Sequence, residues 1–342
     1  MKFRIRHFAV LSLSSLLIAA GCGSGSGGSS ANTAAPSGAA QTAEASASPG
    51  AHKLKIETSF YPMYEFTRNV AGDLADVDIL VPAGVEPHDW EPSPQDIANI
   101  ADADLLVYNG AGMESWVEQV LDGASGGKLA AVDASKGLDT MEGHAMEEEG
   151  EGGAAATDEA GHDDHDHGAL DPHVWLSPAL AIKEVRNIEA ALREASPADA
   201  DTFKANADAY IAKLEQLDQD FKNGLKDTKR KDFITQHAAF GYLAREYGLT
   251  QVPIAGLSPE HEPSAAQMAG VVKFAKEHNV KTIFFETLVS SKVSETVARE
   301  AGAQTAVLNP IEGLTDEDRS KNLDYIGIMS QNLEALKAAL NE

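Results

Sequence analysis

The chain has one cysteine, Cys22, among its 342 residues. A single cysteine excludes an internal disulfide and any cysteine-based zinc site, so a metal site here would depend on histidine and carboxylate side chains. Basic residues are also scarce, because 27 lysines and arginines stand against 53 aspartates and glutamates. A net charge of −26 leaves no basic patch to neutralise phosphates, so we expect no nucleic-acid partner.

Long apolar runs are rare as well. The run near the N-terminus, residues 8–20, is too short to span a bilayer comfortably and follows the basic segment MKFRIR. This arrangement predicts a cleaved signal peptide over residues 1–21. Residues 22–51 are mostly Gly, Ser, Ala and Thr, which cannot form a core and predict a flexible tether.

Small residues directly precede Cys22, and this junction resembles a bacterial lipobox, although Ala19 stands where leucine is usual. The resemblance implies that Cys22 is lipidated as the first residue of the mature chain and anchors it to the cell membrane. The alternative is an ordinary signal peptide with an incidental cysteine. We favour the lipobox because Cys22 is the only cysteine.

Beyond the tether, strand-like apolar segments alternate with amphipathic segments, which predicts an α/β fold with mainly parallel sheets. We predict an N-terminal βα lobe over residues 52–177 and a C-terminal βα lobe over 229–342. Between them, residues 178–228 are helical in pattern and should act as a rigid link. Seven strands are predicted, at residues 53–60, 77–81, 105–108, 232–235, 251–254, 282–285 and 305–308.

Residues 140–170 interrupt the first lobe with a segment rich in Gly, Glu, Asp and His, which predicts a disordered loop. Imidazoles beside carboxylates bind zinc or copper weakly even without fixed geometry. We therefore expect a low-affinity collector that raises the metal concentration near a tight site, with a solvated charged linker as the alternative. The loop histidines are His144, His162, His165 and His167.

Four short segments, far apart in the sequence, each contain a candidate metal ligand: EPHDW, DPHVW, ITQHAAFGY and LNPIEGL. Three imidazoles and one carboxylate form a closed four-ligand set for zinc. The wide spacing of the segments predicts a site assembled from two lobes rather than a local finger. The candidate ligands are His88, His173, His237 and Glu312.

Each candidate has a competing interpretation. His88 follows a predicted strand end, where α/β domains bind ligands, but it could be a surface histidine of that loop. His173 competes with the histidines of the acidic loop, although its segment DPHVWLSP is the more apolar. His237 could be a strand-end histidine with a structural role. Glu312 competes with Glu286, which ends the predicted strand TIFFE, and with water.

Together, these segments, the His-rich acidic loop and the long middle helix resemble the zinc-specific, ZnuA-type lipoproteins of bacterial metal ABC transporters. The resemblance covers about Lys53 to the C-terminus. It implies two βα lobes joined by a rigid helix, with one zinc ion in the cleft and the four candidates as its ligands. It also implies a membrane ABC permease as partner, zinc capture outside the cytoplasm, and a monomer.

Two alternatives belong to other functional classes. The manganese-binding branch of the same fold, which includes adhesins, resembles this chain but carries glutamate at the position of His237. A zinc hydrolase is disfavoured, because HExxH is absent from the sequence and four protein ligands leave no position for an activated water. A hydrolase would also need a general base, for which Glu286 is the candidate. We therefore expect a binding protein and not an enzyme.

Overall fold

The computed structural model describes residues 53–143 and 170–342. The predicted signal peptide, Cys22, the predicted tether and the loop residues His144, His162, His165 and His167 lie outside the described residues. Within the described part, no helix is both long enough and apolar enough to cross a membrane.

The first sheet has four parallel strands in the order β2-β1-β3-β4. The chain leaves β1 towards one edge and β3 towards the other, so their carboxyl ends flank a switch point of the kind that forms ligand crevices. Its strands are β1 (Leu54–Thr58), β2 (Ala75–Ile79), β3 (Leu105–Tyr108) and β4 (Ala130–Asp133). Its helices are α1 (Tyr61–Ala71), α2 (Pro94–Asp102) and α3 (Val117–Gly123).

The second sheet repeats this topology in the order β6-β5-β7-β8, again with parallel strands, so its switch point lies between β5 and β7. Its strands are β5 (Asp232–Thr235), β6 (Thr250–Pro253), β7 (Thr282–Phe285) and β8 (Gln304–Val307). Its helices are α6 (Gly241–Tyr247), α7 (Ala265–Glu277), α8 (Lys292–Ala301), α9 (Asp316–Ser320) and α10 (Tyr325–Leu340). The predicted α/β class with parallel sheets is confirmed.

Two helices connect the sheets along the chain: α4 (Pro178–Ala195) and α5 (Ala200–Leu225). A short turn at Pro197–Asp199 separates them, because Pro197 begins a new helical segment there. The 26 residues of α5 span about 39 Å at the helical rise. Its apolar stripe, from Phe203 to Phe221, is buried against α4, α1 and α10.

One hydrophobic core joins the two sheets. It contains side chains of β1, α1, α4, α5, β5, β7 and α10, among them Phe66, Phe221, Phe284 and Tyr325, together with Trp175 from the turn before α4. Smaller clusters cover the outer faces, one under α2 and α3 and one under α7 and α8. The carboxyl ends of the strands in both sheets therefore meet over a shared apolar base.

Candidate metal centre

His88 lies in the loop that follows β2. Its backbone N–H donates to both carboxylate oxygens of Glu86 at 3.1 Å, which fixes the turn at Pro87. The side chain of His88 is 9% exposed, whereas those of the other three candidates are 0–1% exposed. His88 is therefore the candidate nearest to solvent.

His173 begins a short 3-10 turn, Val174–Leu176, that leads into α4. Asp171 Oδ1 accepts from the backbone N–H of His173 at 3.0 Å and lies 2.8 Å from its Nδ1. This contact selects the tautomer with Nδ1–H and leaves Nε2 free as a ligand. The Asn109 side chain, which follows β3, donates to the carbonyl of Pro172 at 2.9 Å and anchors the segment to the first sheet.

The packing of α6 against the Asp171 carboxylate requires glycine at position 241. A Cβ on Gly241 would lie 2.8 Å from Asp171 Oδ2, so the absence of a side chain at this position lets α6 pack against the carboxylate. The sequence pattern DPH contains Asp171, but its contact with His173 depends on a local turn that the pattern alone does not reveal.

His237 follows β5, where the chain turns towards the switch point of the second sheet. Its Nδ1 donates to Glu286 at the end of β7. Its carbonyl accepts from Thr235 Oγ1 at 2.7 Å and from Gln251 Nε2 at 2.9 Å. The backbone of His237 and its Nδ1 are therefore both held, and its Nε2 lies 3.3 Å from Nε2 of His173. Glu286, the rival to Glu312, contacts the opposite nitrogen of this ring.

Glu312 lies in a buried loop after β8. Its Oε1 is 3.3 Å from Nε2 of His88, 3.6 Å from Nε2 of His173 and 3.3 Å from Nε2 of His237. The Nε2 atoms of His88 and His173 are 3.2 Å apart, and those of His173 and His237 are 3.3 Å apart. All four ligand atoms lie within 4.8 Å of one another.

These separations have the scale of a zinc tetrahedron. Ligands placed at about 2.0–2.1 Å from a central zinc are about 3.3 Å from one another in ideal tetrahedral geometry. The four side chains that the sequence singled out therefore meet at one point with room for a single small ion. The carboxylates on the Nδ1 atoms of His173 and His237 are Asp171 and Glu286.

The pKa values of the three histidines shift in different directions. Burial lowers the pKa of His88 below its ordinary value. Burial also opposes charge on His173, but its carboxylate neighbours outweigh burial and raise its pKa. Against the same burial, Glu286 and Glu312 raise the pKa of His237 to about 10. Without metal, His237 is therefore expected to retain a proton at neutral pH.

The pKa of Glu312 is lowered, whereas the pKa values of Glu286 and Glu86 are raised. Burial disfavours the charge of Glu312, but the imidazoles, His237 first, outweigh it and hold the pKa of Glu312 well below its ordinary value. Burial raises the pKa of Glu286. Burial, followed by repulsion from Glu312, raises the pKa of Glu86 to about 7. Glu312 is therefore the anionic member of the cluster and suits a divalent cation.

The chain matches the family described as zinc-uptake complex component A, periplasmic, over residues 56–339. It is 54% identical to the high-affinity zinc uptake system protein ZnuA of Bacillus subtilis, over 84% of this chain and 88% of that protein. It is 46% identical to the zinc-binding lipoprotein AdcA of Streptococcus pneumoniae, over 85% of this chain but 56% of AdcA. The Zn(II)-bound ZnuA-like domain of S. pneumoniae AdcA superposes with a TM-score of 0.71 at 43% identity, covering 85% of this chain and 100% of that domain.

Proposed function

This chain belongs to the zinc-uptake component A family, and we propose that it captures Zn²⁺ outside the cytoplasm and delivers the ion to a membrane ABC permease. The observation that carries the proposal is the spacing of four ligand atoms, three imidazole Nε2 and one carboxylate oxygen, at distances a tetrahedral zinc requires. We propose His88, His173, His237 and Glu312 as the ligands.

The donor set favours zinc over manganese. Imidazole nitrogen suits zinc, whereas manganese prefers oxygen ligands and higher coordination numbers. Glu312 supplies one negative charge, so a bound divalent ion would retain a net charge of one in the buried site. Asp171 and Glu286 offset that charge from the far side of two imidazoles.

We also propose that the protein is a carrier and not an enzyme. A catalytic zinc needs an open position for water, whereas the proposed ligands number four and three of them are almost fully buried. His88 is the most exposed ligand and lies in a loop after β2, so we place the route of entry and exit on its side. Exchange through one movable ligand suits a protein that must release its ion.

The sequence supports three further parts of the proposal. Cys22 carries the lipid anchor, and residues 22–51 tether the folded part to the membrane. The protein acts as a monomer. The acidic loop collects zinc weakly and supplies the tight site. The proposed collecting residues are His144, His162, His165 and His167.

Metal analysis of the purified mature chain tests the function. We expect one tightly bound zinc that excess manganese does not displace, and no hydrolysis of peptides or esters by the loaded protein. His173→Ala should weaken zinc binding by orders of magnitude, because it removes a buried ligand. His261→Ala, at an exposed histidine, is the matched control and should bind zinc as the wild type does. Wild-type affinity in His173→Ala would overturn the ligand assignment.

A further inference from the structure

The loop that contains Glu312 is unusual in being buried along its length. Residues 308–313 follow β8, belong to no helix or strand, and are all buried. Buried irregular backbone has no ladder to satisfy its N–H and C=O groups, so each group needs another partner. In this loop, side chains from distant segments provide several of those partners.

Asn332 on α10 supplies two of them. The side chain is 2% exposed, its Oδ1 accepts from the backbone N–H of Asn309 at 2.9 Å, and its Nδ2 donates to the carbonyl of Asn309 at 2.7 Å. Asn309 Oδ1 in turn accepts from the backbone N–H of Ile311 at 2.8 Å. A continuous series of hydrogen bonds therefore runs from α10 to the residue that precedes Glu312.

Ile311 has a strained backbone. Its φ is +59°, in the left-handed region that a β-branched side chain rarely adopts, and the residue is fully buried. The other described non-glycine residues with positive φ are Ala111, Asn279 and Asn322, none of which is β-branched. Such strain persists where the surroundings over-determine the conformation.

The direction of the Glu312 side chain depends on this backbone. His173 and His237 each have a carboxylate that orients the ring, but the Glu312 carboxylate contacts the three imidazoles themselves. Its position is therefore set by the loop. Rotation of Ile311 out of the left-handed region would swing the next Cα–Cβ bond away from the imidazoles.

We propose that Asn332 is a positioning residue for zinc capture: through Asn309 it holds Ile311 in the left-handed conformation that directs Glu312 at the three imidazoles. The inference rests on the proposed zinc-binding function and deepens it. Asn332 does not touch the ion. It determines whether the one anionic ligand is in place before zinc arrives, which is the condition for tight binding.

The first experiment compares zinc affinity, by chelator competition, in wild type, Asn332→Ala and Asn187→Ala. Asn187 on α4 is the matched control, because its Nδ2 likewise donates to loop carbonyls after a strand, those of Ala134 and Lys136, away from the site. Asn332→Ala should weaken zinc binding at least tenfold, about 1.4 kcal/mol. Asn187→Ala should leave the affinity unchanged.

The second experiment separates positioning from general stability. In the Asn332→Ala background, Ile311→Gly and Ile311→Ala remove most of the same apolar side chain, but only glycine adopts the left-handed conformation without strain. Ile311→Gly should restore zinc affinity at least threefold over Ile311→Ala. The visible absorption of the Co²⁺-loaded proteins should give the same order. Wild type should show the strong absorption of four-coordinate Co²⁺, Asn332→Ala should absorb more weakly, and adding Ile311→Gly to Asn332→Ala should restore part of the absorption.

The outcomes are distinct. Wild-type zinc affinity in Asn332→Ala, or equal affinities with glycine and alanine at position 311, overturns the positioning role alone. A wild-type protein that binds no zinc overturns the proposed function instead. If Asn332→Ala does not fold, Asn309→Ala replaces it, because this variant keeps both backbone bonds to Asn332 and removes only the acceptor for Ile311. It should weaken zinc binding, and wild-type affinity there overturns the inference.

Discussion

Trp175 Nε1 donates a hydrogen bond to the carbonyl oxygen of Pro310 at 2.8 Å. Trp175 lies two residues after His173, and Pro310 lies two residues before Glu312, so one bond joins the segments of two proposed ligands. The hydroxyl of Tyr325 on α10 completes the junction by donating to the carbonyl of Trp175. The spacing between imidazole and carboxylate is therefore defined across the boundary between the sheets.

Trp175 should report zinc binding by fluorescence. Its ring is fully buried, and the ring centroids of Trp175 and His173 are 5.3 Å apart, so a cation on His173 should change its emission. Trp175→Phe should remove most of the signal. It should also weaken zinc binding several-fold, because the donor to Pro310 is lost. Trp116→Phe, under α3, should keep the signal; a silent titration of the wild type would contradict the placement of His173.

Zinc binding should depend on pH and release protons. Because its carboxylate neighbours outweigh burial and raise the pKa of His237 to about 10, zinc must displace a proton from this ring at neutral pH. Affinity should rise between pH 6 and 9, by roughly tenfold per pH unit for each proton displaced. Calorimetry in buffers of different ionisation enthalpy should give about one proton released at pH 7.5. An affinity that stays constant over this range would contradict a protonated metal-free site.

Removing the acidic loop should preserve tight binding. The backbone N–H of Asp171 donates to the carbonyl of Met141 at 2.9 Å, and Glu142 pairs with Leu170, so the two ends of the loop lie side by side. A short glycine-rich turn in place of residues 143–168 can therefore close the chain. Titration should show one tight zinc and the loss of weaker sites. Loss of tight binding would mean that a loop histidine is a primary ligand.

His237→Glu should move metal preference towards manganese. The change replaces an imidazole nitrogen with an oxygen ligand, which suits manganese better than zinc. It also places a carboxylate against Glu286, so Glu286→Gln should accompany it to limit repulsion. The ratio of the zinc and manganese dissociation constants should shift by at least about tenfold, or about 1.4 kcal/mol. Glu286→Gln alone is the control, and an unshifted ratio would show that position 237 does not determine selectivity.

Glu184→Gln should stabilise the protein at alkaline pH. Glu184 on α4 is fully buried and neither carboxylate oxygen has a hydrogen-bond partner among the described residues, so burial raises its pKa well above the ordinary value. The folded state then binds a proton that the unfolded state releases, and stability falls as pH rises above about 4.5. Glu184→Gln should raise the unfolding free energy relative to wild type more at pH 8 than at pH 5, by at least ~1 kcal/mol. A gain that is independent of pH would contradict this.

The sequence predicted the architecture because strand and helix periodicities are local. The seven predicted strands are present, but β4 was missed, since Ala130 and Ala131 are small and give little strand signal. Helix α9 gives little signal in the sequence because its five polar residues have no apolar face; it begins at a capping box formed by Thr315 and Asp318. The division into lobes at residues 177 and 229 stays a prediction.

The site was predictable in its candidate residues but not in the side chains that support them. Histidines and a glutamate beyond strand ends can be recognised from sequence, because carboxyl ends of parallel strands converge. Glu286 and Glu312 both follow strands, so only geometry separates the residue that orients His237 from the one that faces all three imidazoles. Asn332 contacts Asn309 across 23 residues, and no local pattern marks that pair.

The shared core limits how a partner can recognise the loaded protein. Separating the sheets would expose the faces of Phe66, Trp175, Phe221 and Tyr325, at about 25 cal/mol for each Å² of apolar surface. We therefore expect the two sheets to stay packed on this core with and without zinc. A partner that distinguishes the loaded protein from the empty one would then have to recognise the surface around His88, the most exposed of the proposed ligands.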